Sequence, residues 1–197
     1  MSVVRDPRIA DSLLDAAGFN RVGQGKRGIE LELLTVGSGD NAVEQLVQAD
    51  LAERGISVVI RQLELAAFLA EARAKEKRFD MLITGVPGDL SLSYVRAMFA
   101  SEQRGSALDY TDYHSPALDA AFTRTQSAAT DAELRRAWRD VQTTLAAEMP
   151  AAWLYHSRGV QGVSARMHGV VMDLRGELAT VTQWTTQAPP LRALAQR

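Results

Sequence analysis

The stretch LAERGISVVIRQLELAAFLAEARAKEKRFDMLITGV, Leu51 to Val86, decides the fold. It opens in the last turns of a helical pattern and stops at Gly55. The β-branched run Ile56 to Leu63 then reads as a strand. A helix around Ala66 to Lys75 follows, with Phe68 and Leu69 turned inward, and a charged turn, AKEKR, leads to FDMLITGV, a strand over Phe79 to Val86. Working outward toward the N-terminus, Ile29 to Val36 is another strand. SGDN then caps a helix from about Ala42 to Arg54 whose apolar face is Val43, Leu46, Val47 and Leu51. Strand, helix, strand, helix, strand with short connections requires right-handed crossovers and a parallel sheet. The expected class is α/β: a three-layer lobe with a mainly parallel sheet flanked by helices.

Ligands of open parallel sheets sit beyond the carboxyl ends of the strands. Here those ends are GSGDN (Gly37 to Asn41), the turn after Leu63, and PGDLS (Pro87 to Ser91). The first and last contain glycine and short polar side chains, which suit a ligand and equally suit a plain turn.

Before the sheet, Asp6-Pro7 opens a helix with apolar face Ile9, Ala10, Leu13, Leu14 and Ala17, ended by Gly18. GQGKRG (Gly23 to Gly28) reads as a basic surface turn. A phosphate loop would need glycine at Asn20 and a hydroxyl residue at Arg27. Beyond the sheet the chain turns helical. A short helix covers Leu90 to Ala100, and a polar loop, SEQRGSALDYTDYH, runs from Ser101 to His114. The next helix starts with Ser115 as cap, Pro116 as first residue and Asp119 favoured by the helix dipole. Thr130 and Glu133 form a capping box for the last helix. Its stripe is Leu134, Ala137, Trp138, Val141 and Leu145, and Met149-Pro150 ends it. AAWLYHS and TVTQWTT read as strands, and the 187–197 tail as poorly ordered.

The composition excludes several functions. A net charge of −2 gives no support for nucleic-acid binding. Without cysteine there is no disulfide, thiolate nucleophile or thiolate metal site. No run approaches the ~18 apolar residues of a membrane span. His114, His156 and His168 are not at metal-ligand spacing, and no G-x-S-x-G elbow is present. Asp109 and Asp112 could pair as carboxylates, but a solvated loop leaves both ionised. The residues point to a binder or structural domain, with no cofactor expected. The N-terminus lacks the pattern of an export signal, so the chain as written reads as cytoplasmic.

The order of these motifs resembles the C-terminal lobe of the bacterial solute-binding proteins of the peptide/nickel type (family 5), which serve ABC importers. DPRIADSLLDAAGF looks like that family's helix A..LL.EAG with an aromatic after it. Leu51 to Gly85 is similar to its L..IGI.V.I......F.......FD. YTDYHSPALDAAF resembles Y.NPEVD.L, and Thr130 to Ser157 resembles D...R...Y...Q..L..D.P..PLY. The resemblance runs from about Asp6 to Ser157 and extends through GELATVTQW. It implies a lobe of the periplasmic binding protein type II-like fold over 1–186, a fragment of a two-lobe protein, with 187–197 as tail. It further implies a periplasmic parent, an oligopeptide or similar solute, ABC permease subunits and a missing N-terminal lobe as partners, and no catalysis. The contact residues implied are Asp89, Ser91, Tyr94, Asp109, Tyr110 and Tyr113, with Asp89 set to meet an amine. The sequence departs from the family where a Trp near Gly85 and an Asp-Pro are common. Two other classes remain open on the residues alone: a small cytoplasmic α/β ligand-sensing domain or enzyme, and an interaction module.

Overall fold

The computed structural model describes residues 5–37, 40–86, 92–156, 162–171 and 178–186. The chain divides into two units, one of residues 1–86 and 96–150, the other of 87–95 and 151–197. The first unit contains the sheet. Helix α1 (Pro7–Ala16) leads to β1 (Ile29–Val36), α2 (Ala42–Glu53), β2 (Ile56–Leu63), α3 (Leu65–Ala72) and β3 (Met81–Ile83). The strand order is β2-β1-β3, and both pairings are parallel. β1 is thus the central strand, in register from Ile29 opposite Ile56 to Val36 opposite Leu63.

The period of two along β1 and β2 sends alternate residues to opposite faces. On one face Leu33, Ile56 and Val58 pack with Leu14 of α1 and Val47 and Leu51 of α2. On the other, Leu34 packs with Phe68 and Ala72 of α3 and with Tyr110. Helices therefore cover both faces, which makes the layered α/β arrangement expected from the sequence.

Local signals explain most element ends. Asp6 caps α1 by accepting from Arg8 and Ile9 N–H. β3 is shorter at both ends than the expected Phe79 to Val86; at its amino end Asp80 takes over a rung, its N–H donating to Glu32 O at 3.1 Å and its carboxylate accepting from Glu32 N–H at 2.7 Å. α3 ends at Ala72, before the expected Lys75, where Lys77 Nζ reaches the Ala72 carbonyl at 2.8 Å. Leu69, expected inside with Phe68, is only partly buried.

The apolar faces expected from periodicity are narrower in the structure, and Leu134, on the stripe of the last helix, is 38% exposed. Ile9 and Leu13 of α1 are 59% and 65% exposed, and Leu46 of α2 is 69% exposed. These helices touch the sheet along a narrower stripe than their periodicity suggests, through Leu14 on one and Val47 and Leu51 on the other. The basic turn also hides a core residue. Arg27 is buried, with its guanidinium bonded to Asp11 Oδ1 at 2.8 Å, to Asp15, and to the carbonyls of Phe19 and Arg54. Arg21 and Arg54 add 3.1 and 2.7 Å bonds to Asp11, giving a charge clasp at the amino ends of β1 and β2.

After the sheet come α4 (Ser93–Phe99), α5 (Pro116–Ser127) and α6 (Asp131–Glu148). The expected helix start at Leu90 lies outside the described residues. Ser115 caps α5 at 3.2 Å from Leu118 N–H, and the Thr130–Glu133 capping box forms. α5 and α6 make a hairpin, with Leu118, Ala121 and Phe122 buried on one and Ala137, Val141 and Leu145 on the other. Phe122 meets Trp138 edge to face at 6.4 Å. Asp119 does more than face the dipole, since its carboxylate accepts from Ser101 N–H at 2.9 Å.

In the second unit the two expected strands are not strands. Residues 151–156 pair with no strand among the described residues, and Trp153, Leu154 and Tyr155 are 57%, 50% and 69% exposed. Val181–Gln183 is a 3-10 turn. There the Thr180 hydroxyl accepts from Val171 N–H and Trp184 Nε1–H, each at 3.0 Å, offering the backbone an alternative to a ladder. A single bridge joins His168 to Thr185. The 187–197 tail lies outside the described residues. Among the described residues no helix is long and apolar enough to cross a membrane.

Candidate functional site

The carboxyl ends of the three strands meet around Thr35, which lies opposite Gln62 on β2 and Ile83 on β3. Gly37 prolongs the β1–β2 ladder by donating to Leu63 O at 3.1 Å. A Cβ on Gly37 would stand 2.3 Å from Gln62 Nε2, the far end of a flexible side chain. Asp40 then accepts from Ala42 N–H at 3.0 Å, and Gln45 Nε2 donates to Asn41 Oδ1 at 2.7 Å. Asn41 makes no side-chain cap of its own. Glu44, in the first turn of α2, is buried at 9% exposure and accepts from the hydroxyl of Thr35 at 2.5 Å.

The polar segment between α4 and α5 is held by charge. Arg104 forks onto both oxygens of Asp112 at 2.8 and 3.0 Å. Each group stabilises the ionised form of the other: the bond to Arg104 lowers the Asp112 carboxyl, and the bond to Asp112 raises the Arg104 guanidinium. Asp109 is buried, and its carboxylate accepts from Gly105 and Asp112 N–H, each at 2.8 Å. Lys77 ties this segment to α3 through the Asp109 carbonyl at 3.0 Å. Tyr110 is a core residue against Leu34, Phe68 and Ala72. Tyr113 lies edge-on to Phe99 at 6.2 Å and donates its hydroxyl to Glu148. Burial first, then the Glu148 carboxylate, pushes the Tyr113 phenol up. Ser115 donates to the other oxygen of Glu148 at 3.0 Å.

Of the six sequence candidates, the structure brings Asp109, Tyr110 and Tyr113 onto this one braced segment. Tyr113 is the member with partial exposure, whereas Asp109 and Tyr110 are turned inward. Tyr94, half-buried on α4, falls in the second unit. Asp89 and Ser91 lie outside the described residues. The sequence reading passed over Thr35 and Glu44. Their signal was a Glu three residues after a helix cap that is Asn instead of Ser or Thr, beside a Thr on the inward face of a strand end.

One open groove, of about 560 Å³, lies along α3 and β2, lined by Arg61, Leu63, Ala67, Ala70, Glu71 and Arg78 among others. Arg61 is already bonded to Glu32 at 2.7 Å and paired with Glu71, and the groove is too open to bury a ligand. Among the described residues no cluster of His, Asp or Glu could hold a metal ion.

The layered lobe, a parallel sheet with helices on both faces, is a fold found within bacterial solute-binding proteins. The oligopeptide-binding protein AppA of Bacillus subtilis, solved with a nonapeptide, superposes with a TM-score of 0.73 at 18% identity, over 91% of this chain and 37% of that one. The periplasmic binding protein DppA of Helicobacter pylori, in complex with the peptide STSA, gives 0.64 at 19% identity over 74% of this chain and 28% of that one. NikZ of Campylobacter jejuni, in complex with Ni(L-His), gives 0.62 at 20% identity over 74% and 31%. The chain spans about a third of the length of these proteins. No family model and no curated protein matches the sequence.

Proposed function

We propose that this chain is the C-terminal lobe of the substrate-binding component of an ABC importer. In this reading a periplasmic parent protein captures a peptide-like solute between two lobes and delivers it to the membrane permease. The observation that carries the reading is the fold shared with AppA across 91% of the chain. The ordered motifs in the sequence support it independently.

Within the lobe, Asp89 and Ser91 follow β3 at the end where the crevice rule puts ligands. Asp89 is assigned the amine of the solute, and Ser91, Tyr94 and Tyr113 are further contacts. Asp109 holds the backbone of the loop that carries Tyr113, and Tyr110 anchors that loop in the core. Closure brings two bodies together around a ligand, and a good site buries ~70–90% of the ligand surface. A single lobe leaves much of the solute in water, so this chain alone binds oligopeptides weakly.

Calorimetry with oligopeptides on the 197-residue chain and on the complete gene product tests this reading. Tight one-to-one binding is expected only for the complete product. Submicromolar binding by the 197-residue chain, or turnover of a substrate by it, would overturn the assignment as half of a binding cleft.

A further inference from the structure

We propose that the free edge of β2, with the groove beside it, is a docking strand for an extended acidic segment of another protein. β2 is an outer strand, and among the described residues only β1 pairs with it. The direction of its free groups follows from its two ends. The carbonyls of Gly55 and Leu63 turn toward β1, where they accept from Arg27 and Gly37 N–H at 2.9 and 3.1 Å. The N–H and C=O of one residue point to the same side, and the side alternates along a strand. The backbone groups of Val58, Ile60 and Gln62 therefore point away from β1.

The chain itself covers the first of these. Gln48 of α2 donates its side-chain amide to Val58 O at 2.7 Å, which closes the amino half of the edge. The outward N–H and C=O of Ile60 and Gln62 bond to no described residue. An unpaired edge of this kind is a template for one more strand.

The groove described above runs along the same half of β2. It is too open to enclose a small molecule, but an added strand draws its affinity from main-chain hydrogen bonds and needs a wall on one side only. Alternate side chains of that strand would stand on the α3 face, over the space that the small Ala67, Ala70 and Ala74 leave beside Leu63.

Charge selects the occupant. Arg61 is matched by Glu32 and Glu71. Lys75 and Arg78, both exposed on the groove, form no ion pair among the described residues, against one such acid, Glu76. The unmatched charge is therefore positive. It also disfavours a second copy of this chain. Two β2 edges paired antiparallel so that Ile60 meets Gln62 would set Arg61 directly opposite Arg61 of the other copy, and like charges so placed are destabilising. A carboxylate at that position is favourable.

NMR titrations of the 197-residue chain test the proposal with three peptides, each acetylated and amidated so that no terminal charge contributes. The first alternates Val and Glu, the second has Lys for every Glu, and the third is the first with N-methyl groups on alternate residues. The Val-Glu peptide is expected to shift the backbone amides of Ile60 and Gln62 saturably and to slow their hydrogen exchange. The Lys peptide should bind roughly fivefold more weakly, and the N-methylated peptide should cause no shift. The double variant Lys75→Glu, Arg78→Glu changes two exposed side chains without listed bonds, so it should fold and should reverse the preference to the Lys peptide. Equal binding of the N-methylated peptide overturns pairing at the edge. Equal binding of the Val-Glu and Lys peptides, or an unchanged preference in the double variant, overturns the acidic occupant. Absence of any shift at Ile60 and Gln62 overturns the site altogether. Sedimentation showing a dimer whose formation perturbs these same amides makes a second copy the occupant and also overturns the proposal. None of these results bears on the solute-binding reading, which is judged on the complete gene product.

Discussion

Replacing Gly55 by alanine attacks the junction between α2 and β2. Gly55 has φ +83°, in the left-handed region, and its carbonyl accepts from Arg27 N–H at 2.9 Å. A Cβ there would stand 2.4 Å from the backbone oxygen of Gly25 and 3.2 Å from Arg27 Cγ, well inside the 3.4 Å at which ordinary contact begins. The left-handed conformation costs an L-residue ~1–2 kcal/mol. Moving Gly25 O away strains the Arg27–Gly55 hydrogen bond, worth ~1 kcal/mol. The expected loss is ~2–3 kcal/mol, or a fall in melting temperature of ~4–12 °C for a chain of this size. Gly18→Ala is the internal control: φ is +90° and nothing lies within 4 Å of the added Cβ, so only the backbone cost applies. Thermal and urea unfolding of the two variants isolates the contact. If Gly55→Ala costs no more than Gly18→Ala, the close packing at this junction is not what holds the amino end of the sheet.

The Asp11 carboxyl is held below the usual carboxylate range, chiefly by its bond to Arg27. The unfolded chain therefore binds this proton more readily than the folded one. The resulting stability is complete above the ordinary aspartate value of ~3.9 and is lost as pH falls through the lower folded value; acid unfolding of Asp11→Asn should show a flatter decline there than the unsubstituted chain. Met149 ends α6 with φ +49° and is 48% exposed, so Met149→Gly should raise stability by up to ~1 kcal/mol in urea unfolding, and a loss would show that its side chain packs usefully. Asp119→Asn weakens the bond to Ser101 N–H and should lower stability by ~1 kcal/mol. It should leave solute affinity of the complete protein unchanged, whereas Asp89→Asn should weaken binding of an amine-bearing solute by ~1.5–3 kcal/mol in calorimetry; the reverse pattern would place the site elsewhere.

The sheet was legible because its strands are β-branched runs between glycine stops, with one crossover hand available to each connection. Caps were legible for the same local reason: Asp6, Ser115 and Thr130 act on backbone within three residues of themselves. What escaped were effects carried by distant partners. Arg27 reads as one more charge in a surface turn until Asp11 and Asp15, twelve to sixteen residues away, close around it. The outer rung of β3 passed to an Asp side chain, which no period of two reveals. Trp153 to Tyr155 has strand composition, but pairing depends on a neighbour that composition does not supply. Of the site, the loop carrying Asp109, Tyr110 and Tyr113 was legible as polar and aromatic. That Tyr110 faces the core and Glu44 the strand end was not, because both orientations are set by what packs opposite them.

The Arg27 clasp has a consequence for how such a lobe can diversify. It joins α1, the start of β1 and the end of α2 at the amino ends of the strands, opposite the carboxyl end where the chain leaves β1 at Gly37. In the solute-binding reading proposed above, anchorage and recognition fall at opposite poles. Exchange of the loops at the carboxyl ends would then leave the anchoring pole intact, so new specificities could be grafted onto this scaffold without first re-engineering how it folds.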